Sequence, residues 1–232
     1  MTDPTAPAAT ASSSKPAITL DQAVICRGGL ALTAPLNLRF EAGSVTLIQG
    51  PNGVGKTSLL RVLAGLLPVM GGDVSETLSS DQTKAVMPFE PVWLTMVGWL
   101  PVTPGLPPGL NSAEILNQMA RLHGPVGNQV VTAQLDKWGL AELADLPTQY
   151  LSAGQRRRVD LARLCLNPKP VWLLDEPAVT LDSQGREILG QAIEQHCQAG
   201  GLIVMASHED WPQDHWNRIQ LNQPAQVGGQ AA

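Results

Sequence analysis

The chain has 232 residues, enough for one good core or one core with a modest subdomain. Hydrophobic residues at 44% and charged residues at 15% describe a globular protein, and a formal net charge of -5 argues against a generic nucleic-acid binder, which displays a basic face. The longest apolar candidate for a membrane span, Val92 to Val102, is short and broken by Gly98 and Pro101, so the chain is not expected to cross a bilayer.

Met1 to Pro16 is rich in Ala, Thr, Ser and Pro without an apolar stretch, so it reads as a disordered tail rather than a secretory signal. Ser44 to Gln49 is a β-rich run that ends in a glycine-rich turn. After it, Leu59, Leu60, Leu63 and Leu66 stand at helical spacing, with Gly65 and Pro68 marking the end. The texture changes from about Thr77 to Tyr150. Pro88, Pro91, Pro101, Pro104, Pro107 and Pro108 make its first half irregular, and helical patterns follow over Asn111 to Leu122 and about Val130 to Leu143. This reads as a helical insertion on an α/β core. Val171 to Leu174 is a continuous apolar strand stopped by Asp175-Glu176-Pro177, and Leu202 to Ala206 is a second that delivers Ser207-His208. Uninterrupted apolar runs fit strands covered on both faces, as in a parallel sheet. The expected organisation is a tail over 1–16, a folded unit over 17–221 with a helical subdomain region at about 77–150, and a flexible tail over 222–232. Cys26, Cys165 and Cys197 lack metal-ligand spacing and read as small buried hydrophobes or idle thiols of a reducing compartment.

Three segments carry chemistry. Gly50-Pro51-Asn52-Gly53-Val54-Gly55-Lys56-Thr57 matches G-x-x-x-x-G-K-S/T between an expected strand and an expected helix, the context such a phosphate loop requires. Its glycines let backbone N–H groups converge on phosphate oxygens, and the helix start adds a positive dipole end. Lys56 would neutralise β/γ-phosphate charge and the Thr57 hydroxyl would ligate Mg²⁺, with Ser58 next in the nucleotide-binding run. At the acidic strand end, Asp175 would hold Mg²⁺ and Glu176 would polarise an attacking water. In Leu151-Ser152-Ala153-Gly154-Gln155, Ser152 and Gln155 have capping-box spacing, so a helix should start there with Val159, Ala162 and Leu166 on its buried side. That start is a second anion site. Arg156, Arg157 and Arg158 read as a solvated helix face.

The order GPNGVGKT, LSAGQ, LLDEP, Leu181-Asp182 and Ser207-His208 resembles the nucleotide-binding domains of ATP-binding-cassette (ABC) ATPases over about residues 17 to 221. The resemblance implies an α/β P-loop NTPase core with a mixed sheet and a helical subdomain, using ATP and Mg²⁺. It implies catalytic roles for Lys56, Glu176 and His208, the last as the switch histidine, and places Asp182 in the D-loop. It also implies that Leu151 to Gln155 close over the ATP held by a second copy of the chain. His123, His196 and His215 match nothing in the family and read as surface residues. Two positions depart from the family pattern. Arg27 stands where the family has an adenine-stacking aromatic, and a guanidinium plane can stack on a base. Val102 stands where a glutamine is usual, and valine can neither ligate Mg²⁺ nor orient water.

Cys26-Arg27-Gly28-Gly29, Pro104-Gly105-Leu106 and residues 151–164 are similar to the ATP-binding subunits of the haem exporter of bacterial cytochrome c maturation. That subfamily implies integral membrane permease partners, no nucleic acid, and a peripheral place on the cytoplasmic side of the inner membrane. Two other readings stay open at this point: a non-catalytic nucleotide switch, and a soluble ABC ATPase of another system such as metal-cluster assembly.

Overall fold

The computed structural model describes residues 17–77, 83–87, 89–122 and 128–222. The expected tail at 1–16 and all of the expected tail at 222–232 except Asn222, with Pro88 and His123, lie outside the described residues. The first half supplies β1 (Ala17–Val24), the short hairpin β2 (Cys26–Arg27) and β3 (Leu30–Ala31), β4 (Leu36–Glu41), β5 (Ser44–Gln49), α1 (Lys56–Leu63), β6 (Gly71–Thr77) and β7 (Thr83–Ala85). Then come α2 (Pro91–Met96), β8 (Val97–Leu100), α3 (Ser112–Leu122) and α4 (Asn128–Lys137). The last part holds α5 (Ala153–Leu166), β9 (Val171–Asp175), α6 (Ser183–Gln198), β10 (Leu202–Ala206) and β11 (Asn217–Gln220).

Parallel and antiparallel pairing are divided between two sheets. The order β11-β5-β10-β9-β8 is parallel throughout, and the order β4-β1-β6-β7 is antiparallel throughout. Every residue of β9 and β10 is buried, which is why their sequences show no polar alternation. Successive side chains still point to opposite faces. Trp172 and Leu174 join Ile203 and Met205 in a core under α5 and α6, whereas Val171 and Leu173 join Leu202 and Val204 in a second core. The second core also takes Leu59, Leu60 and Leu63 from α1 and Ile18, Leu20, Phe40 and Val74 from the antiparallel sheet. Burying one such leucine fully is worth roughly 1.5–3 kcal/mol, so the leucine stripe of α1 is enough to seat it between the two sheets. Gly65, at φ 68°, follows the helix end.

The irregular proline-rich stretch contains a helix the sequence did not announce. Pro91 opens α2, where a missing N–H is tolerated. Trp93, 2% exposed, donates its indole N–H to the Leu63 carbonyl at 2.9 Å, satisfying a group left open at the end of α1. The second helix expected in the insertion ends at Lys137 rather than near Leu143. Gly139 at φ 64° turns the chain left-handed, and Leu140 N–H bonds the Leu135 carbonyl at 2.8 Å, a Schellman stop. A short 3₁₀ turn, Ala141–Leu143, takes up the remainder. Among the described residues no helix is long and apolar enough to cross a membrane.

Candidate functional site

The turn between β5 and α1 has the geometry of an anion cradle. Gly50, Gly53 and Gly55 take φ values of 143°, 82° and 109°. Gly55 is the N-cap of α1 in a left-handed conformation, with no side chain capping the helix and no acidic residue in its first turn. A side chain at Gly55 would be strained by that φ, and its Cβ would lie 3.2 Å from Leu32 Cβ. The helix therefore begins with open N–H groups. Lys56 is 8% exposed, and its Nζ donates to the carbonyls of Gly50 at 2.6 Å and Pro51 at 3.3 Å. Val54 is buried beneath the loop while Pro51 and Asn52 are exposed.

β9 brings the two acids to the same place. Asp175 is 2% exposed and is hydrogen bonded by the Thr57 side chain. Burial pushes the Asp175 carboxyl above its ordinary range, opposed mainly by that hydrogen bond. Glu176 takes φ 46°, and its N–H donates to the Ala206 carbonyl of β10 at 2.9 Å. Its carboxylate Oε2 lies 2.9 Å from His208 Nδ1 and accepts weakly from the His208 N–H at 3.4 Å. A cavity of about 310 Å³ gathers Lys56, Thr57, Asp175 and Glu176 with Asn52, Gly53, Gly55 and Ser58. Arg27 reaches it from the β2–β3 hairpin, whose Gly28 and Gly29 both have positive φ, as a two-residue primed turn requires. Leu32, which carried no signal in the sequence, forms the wall between hairpin and loop. Larger cavities of about 650 and 440 Å³ lie along α6 and at its far end, away from these groups. Size does not mark the site here; the convergence of charge does.

The second flagged helix start lies in a different cavity, of about 430 Å³, that includes Ser152, Gly154, Gln155 and Asp182. Its capping box is complete. Ser152 Oγ accepts from the Gln155 N–H at 3.2 Å, and Gln155 Oε1 accepts from the Ser152 N–H at 2.8 Å. Leu151 is buried and Ala153 exposed. Val159 and Ala162 are fully buried, and Leu166 packs more loosely on the same core. Gly154 fits against the loop before α6, where a Cβ would lie 2.7 Å from the Thr180 carbonyl. Asp182 caps α6 through the Gly185 N–H at 2.8 Å and takes both of its oxygens to Arg158, at 2.6 and 2.7 Å.

Two expectations are corrected. Arg157 does not belong to a solvated face. It is 1% exposed and donates to the main-chain carbonyls of Pro101 at 2.6 Å, Asp175 at 3.2 Å and Glu176 at 2.7 Å. Arg156 and Arg158 are themselves only half-exposed, bonded to the Leu151 and Trp138 carbonyls. A run of like charges gives no sign that each points elsewhere around a helix. His196 is not a surface residue either. It is 9% exposed, stacks on Trp172 with ring centroids 4.0 Å apart, and burial lowers its pKa to about 4. His215 is exposed, as expected. The thiols are unpaired and half-buried, and burial pushes Cys165 up to about 12. Val102 follows the end of β8, 42% exposed, with Pro101 beside it on Arg157.

A cleft of converging charges at a strand–loop–helix junction, with a second helix start on the same chain, is the arrangement that the class of ATP-binding cassettes shares, and similarity to known proteins places the chain there. Residues 33–179 match the ABC transporter family. A "Cytochrome c biogenesis ATP-binding export protein CcmA" of Pseudomonas syringae pv. syringae is 41% identical over 184 residues, covering 78% of this chain and 83% of that protein. One of the same name from Paramagnetospirillum magneticum is 38% identical over 203 residues, covering 85% and 90%. Among solved structures, a putative ABC transporter ATP-binding protein from Pyrococcus furiosus superposes with a TM-score of 0.74 at 22% identity, covering 88% of this chain and 97% of that one. A bacterial Atm1-family ABC exporter with ATP bound also gives 0.74, at 20% identity, over 90% of this chain and 37% of that one. The chain belongs to the ABC transporter family, in its branch of cytochrome c biogenesis ATP-binding export proteins. Membership carries ATP binding and, for the family in general, ATPase activity.

Proposed function

We propose that the chain is the ATP-hydrolysing subunit of a bacterial ABC export complex of the cytochrome c biogenesis system, working as an ATP-sandwiched dimer on integral membrane permease subunits. The observation that carries this reading is the convergence of Lys56, Thr57, Asp175 and Glu176 on one cavity, with His208 2.9 Å from Glu176. In it, the loop of Gly50, Pro51, Asn52, Gly53, Val54 and Gly55 wraps the phosphates, with main-chain N–H groups supplied by its non-proline residues. Lys56 leaves its carbonyl partners for the β- and γ-phosphate oxygens. The base rests on the hairpin at Arg27, with Ser58 below the loop.

Thr57 hydroxyl and the buried Asp175 carboxylate are hard oxygen donors already hydrogen bonded to each other, and that donor set fits Mg²⁺. When bound, Mg²⁺ would neutralise charge growing on the phosphate oxygens. Glu176 orients a water in line with the γ-phosphorus and takes its proton. The oxygen–phosphorus bond to the β-phosphate breaks as the bond to water forms, leaving ADP and inorganic phosphate. His208 holds Glu176 and faces the γ-phosphate position. From the second copy, Leu151, Ser152, Ala153, Gly154 and Gln155 close over that phosphate, and Asp182 sits where the two copies meet.

Glu176→Gln should retain ATP and run as a dimer on gel filtration with ATP, while the wild type returns to monomer on hydrolysis. A variant that stays monomeric with ATP, beside a wild type that hydrolyses as a monomer, removes the two-chain site. The exposed Val102 supports a second reading, in which ATP controls assembly without turnover. Turnover of the complex with its membrane partners separates the two.

A further inference from the structure

β8 and β9 pair in parallel only as far as Leu100 and Leu174. Beyond that point Pro101-Val102 leaves the sheet, while Asp175 stays paired with Ala206 of β10 and Glu176 follows the strand end; the β8–β9 ladder no longer ties the two segments to each other. The Arg157 guanidinium fills this gap. One nitrogen donates to the Pro101 carbonyl at 2.6 Å, and the other to the Asp175 carbonyl at 3.2 Å and the Glu176 carbonyl at 2.7 Å. A planar fork with donors at fixed angles suits this task, and an ammonium does not.

Such an arrangement is expensive as mere filling. Removing a guanidinium from water is costly, and a buried charge is often replaced by apolar side chains without loss of stability. Burial lowers the Arg157 pKa, opposed by the charges of Asp160, Asp175 and Glu176. Among the described residues, its hydrogen bonds all go to carbonyls at the two strand ends. Glu176 is the residue that needs them. Its φ of 46° is unusual for a residue with a side chain, a conformation that persists only where neighbours hold it. Ala206 holds its N–H, and Arg157 holds its carbonyl.

Arg157 stands five positions after Ser152, on the first turns of the helix that begins at the signature segment. A helix is stiff over that distance. Any displacement of its start is therefore delivered to the Glu176 carbonyl and to the strand end bearing Val102. We propose that Arg157 is the positioning residue that sets the Glu176 carboxylate and couples it both to the signature helix and to the Pro101–Val102 segment, in the place of a polar side chain at residue 102. The proposal rests on the hydrolytic reading above for its kinetic consequence, and on geometry alone for its structural one.

The test uses the full chain with Arg157→Lys, which keeps charge without the fork, and Arg157→Met, which keeps the stem without charge. Thermal melting, titration with a fluorescent ATP analogue, steady-state turnover and amide hydrogen exchange are measured on each. Arg157→Lys should bind nucleotide within about threefold of wild type yet lose about tenfold to a hundredfold in kcat, the size expected of a misplaced catalytic group. Its exchange should quicken at Val102, Glu176 and Ala178 more than in α1. Turnover within about twofold of wild type in a folded Arg157→Lys overturns the proposal, and so does a parallel fall in melting temperature, affinity and kcat, which marks a prop of the fold. If Arg157→Met does not fold, Arg157→Lys decides alone. If the wild type binds ATP without turnover, the hydrolytic reading fails by itself. Exchange then judges Arg157, and unchanged protection in Arg157→Lys overturns it.

Discussion

The two helix starts that the proposed function assigns to ATP are built in opposite ways. α1 begins at a left-handed glycine with no side-chain cap, and its first N–H groups face a cavity that also holds Lys56. α5 begins with a closed capping box in which Ser152 and Gln155 satisfy each other. The first end has no side-chain cap at all; the second has its Ser152 and Gln155 N–H groups capped and only its next N–H groups left open. A phosphate approaching α5 can accept from the Ser152 O–H while Oγ still accepts from the Gln155 N–H, whereas one approaching α1 displaces the Lys56–carbonyl contacts. The cap thus fixes the Ser152 hydroxyl in place without using its proton.

The largest effect that breaks the comparison is expected at Lys56. Lys56→Ala should lower nucleotide affinity and turnover by about a hundredfold or more, as loss of a phosphate-neutralising group implies; ATPase activity equal to wild type removes Lys56 from the site. Glu176→Gln comes next, losing turnover by about a hundredfold while keeping ATP. Ser152→Ala sharpens the contrast, since its helix loses a cap worth about 1 kcal/mol while binding of nucleotide to the isolated chain stays unchanged. Turnover should fall in that variant and return in part when it is mixed with Lys56→Ala, because one of the two composite sites in the mixed dimer is then intact. No recovery on mixing counts against a site shared between chains.

The smallest expected effect separates fold from site. His196, on α6 and stacked on Trp172 of β9, has its pKa lowered by burial from the ordinary 6.5 to about 4. The unfolded chain then binds the extra proton between those values, so stability is full above about pH 6.5 and falls as pH drops toward 4. The loss is on the order of 3 kcal/mol, and His196→Phe should flatten that limb of a denaturation-against-pH curve. An unchanged curve would mean that His196 takes up its proton alike in the folded and unfolded chain.

The phosphate loop was legible because its chemistry is local. Eight consecutive residues fix strand end, cradle and helix start, and the strands β9 and β10 were visible as unbroken apolar runs. The capping box at Ser152 was equally local. Arg157 and His196 were not legible, because their partners, at Pro101 and Trp172, are brought to them by sheet order and helix packing rather than by sequence spacing. α2 hid among prolines that usually mark loops, and Pro91 at its first turn is the one signal that could have revealed it. The end of α4 hid in a single glycine, Gly139, inside a pattern that otherwise continued.

The seat of the phosphate loop also depends on a segment made much later in synthesis. β11 pairs in parallel with β5, and just past it the Leu221 N–H bonds the Gln49 carbonyl at 2.8 Å. The Leu221 carbonyl lies so close to Gly50 that a Cβ there would meet it at 2.6 Å. On the ribosome, β5 and the loop emerge some hundred and seventy residues before this clamp, roughly 10–30 seconds earlier at the usual pace of elongation. A growing chain therefore carries the whole phosphate-loop sequence while lacking the wall that shapes it. The Gly50 turn gains its Leu221 wall only when β11 has been laid beside β5.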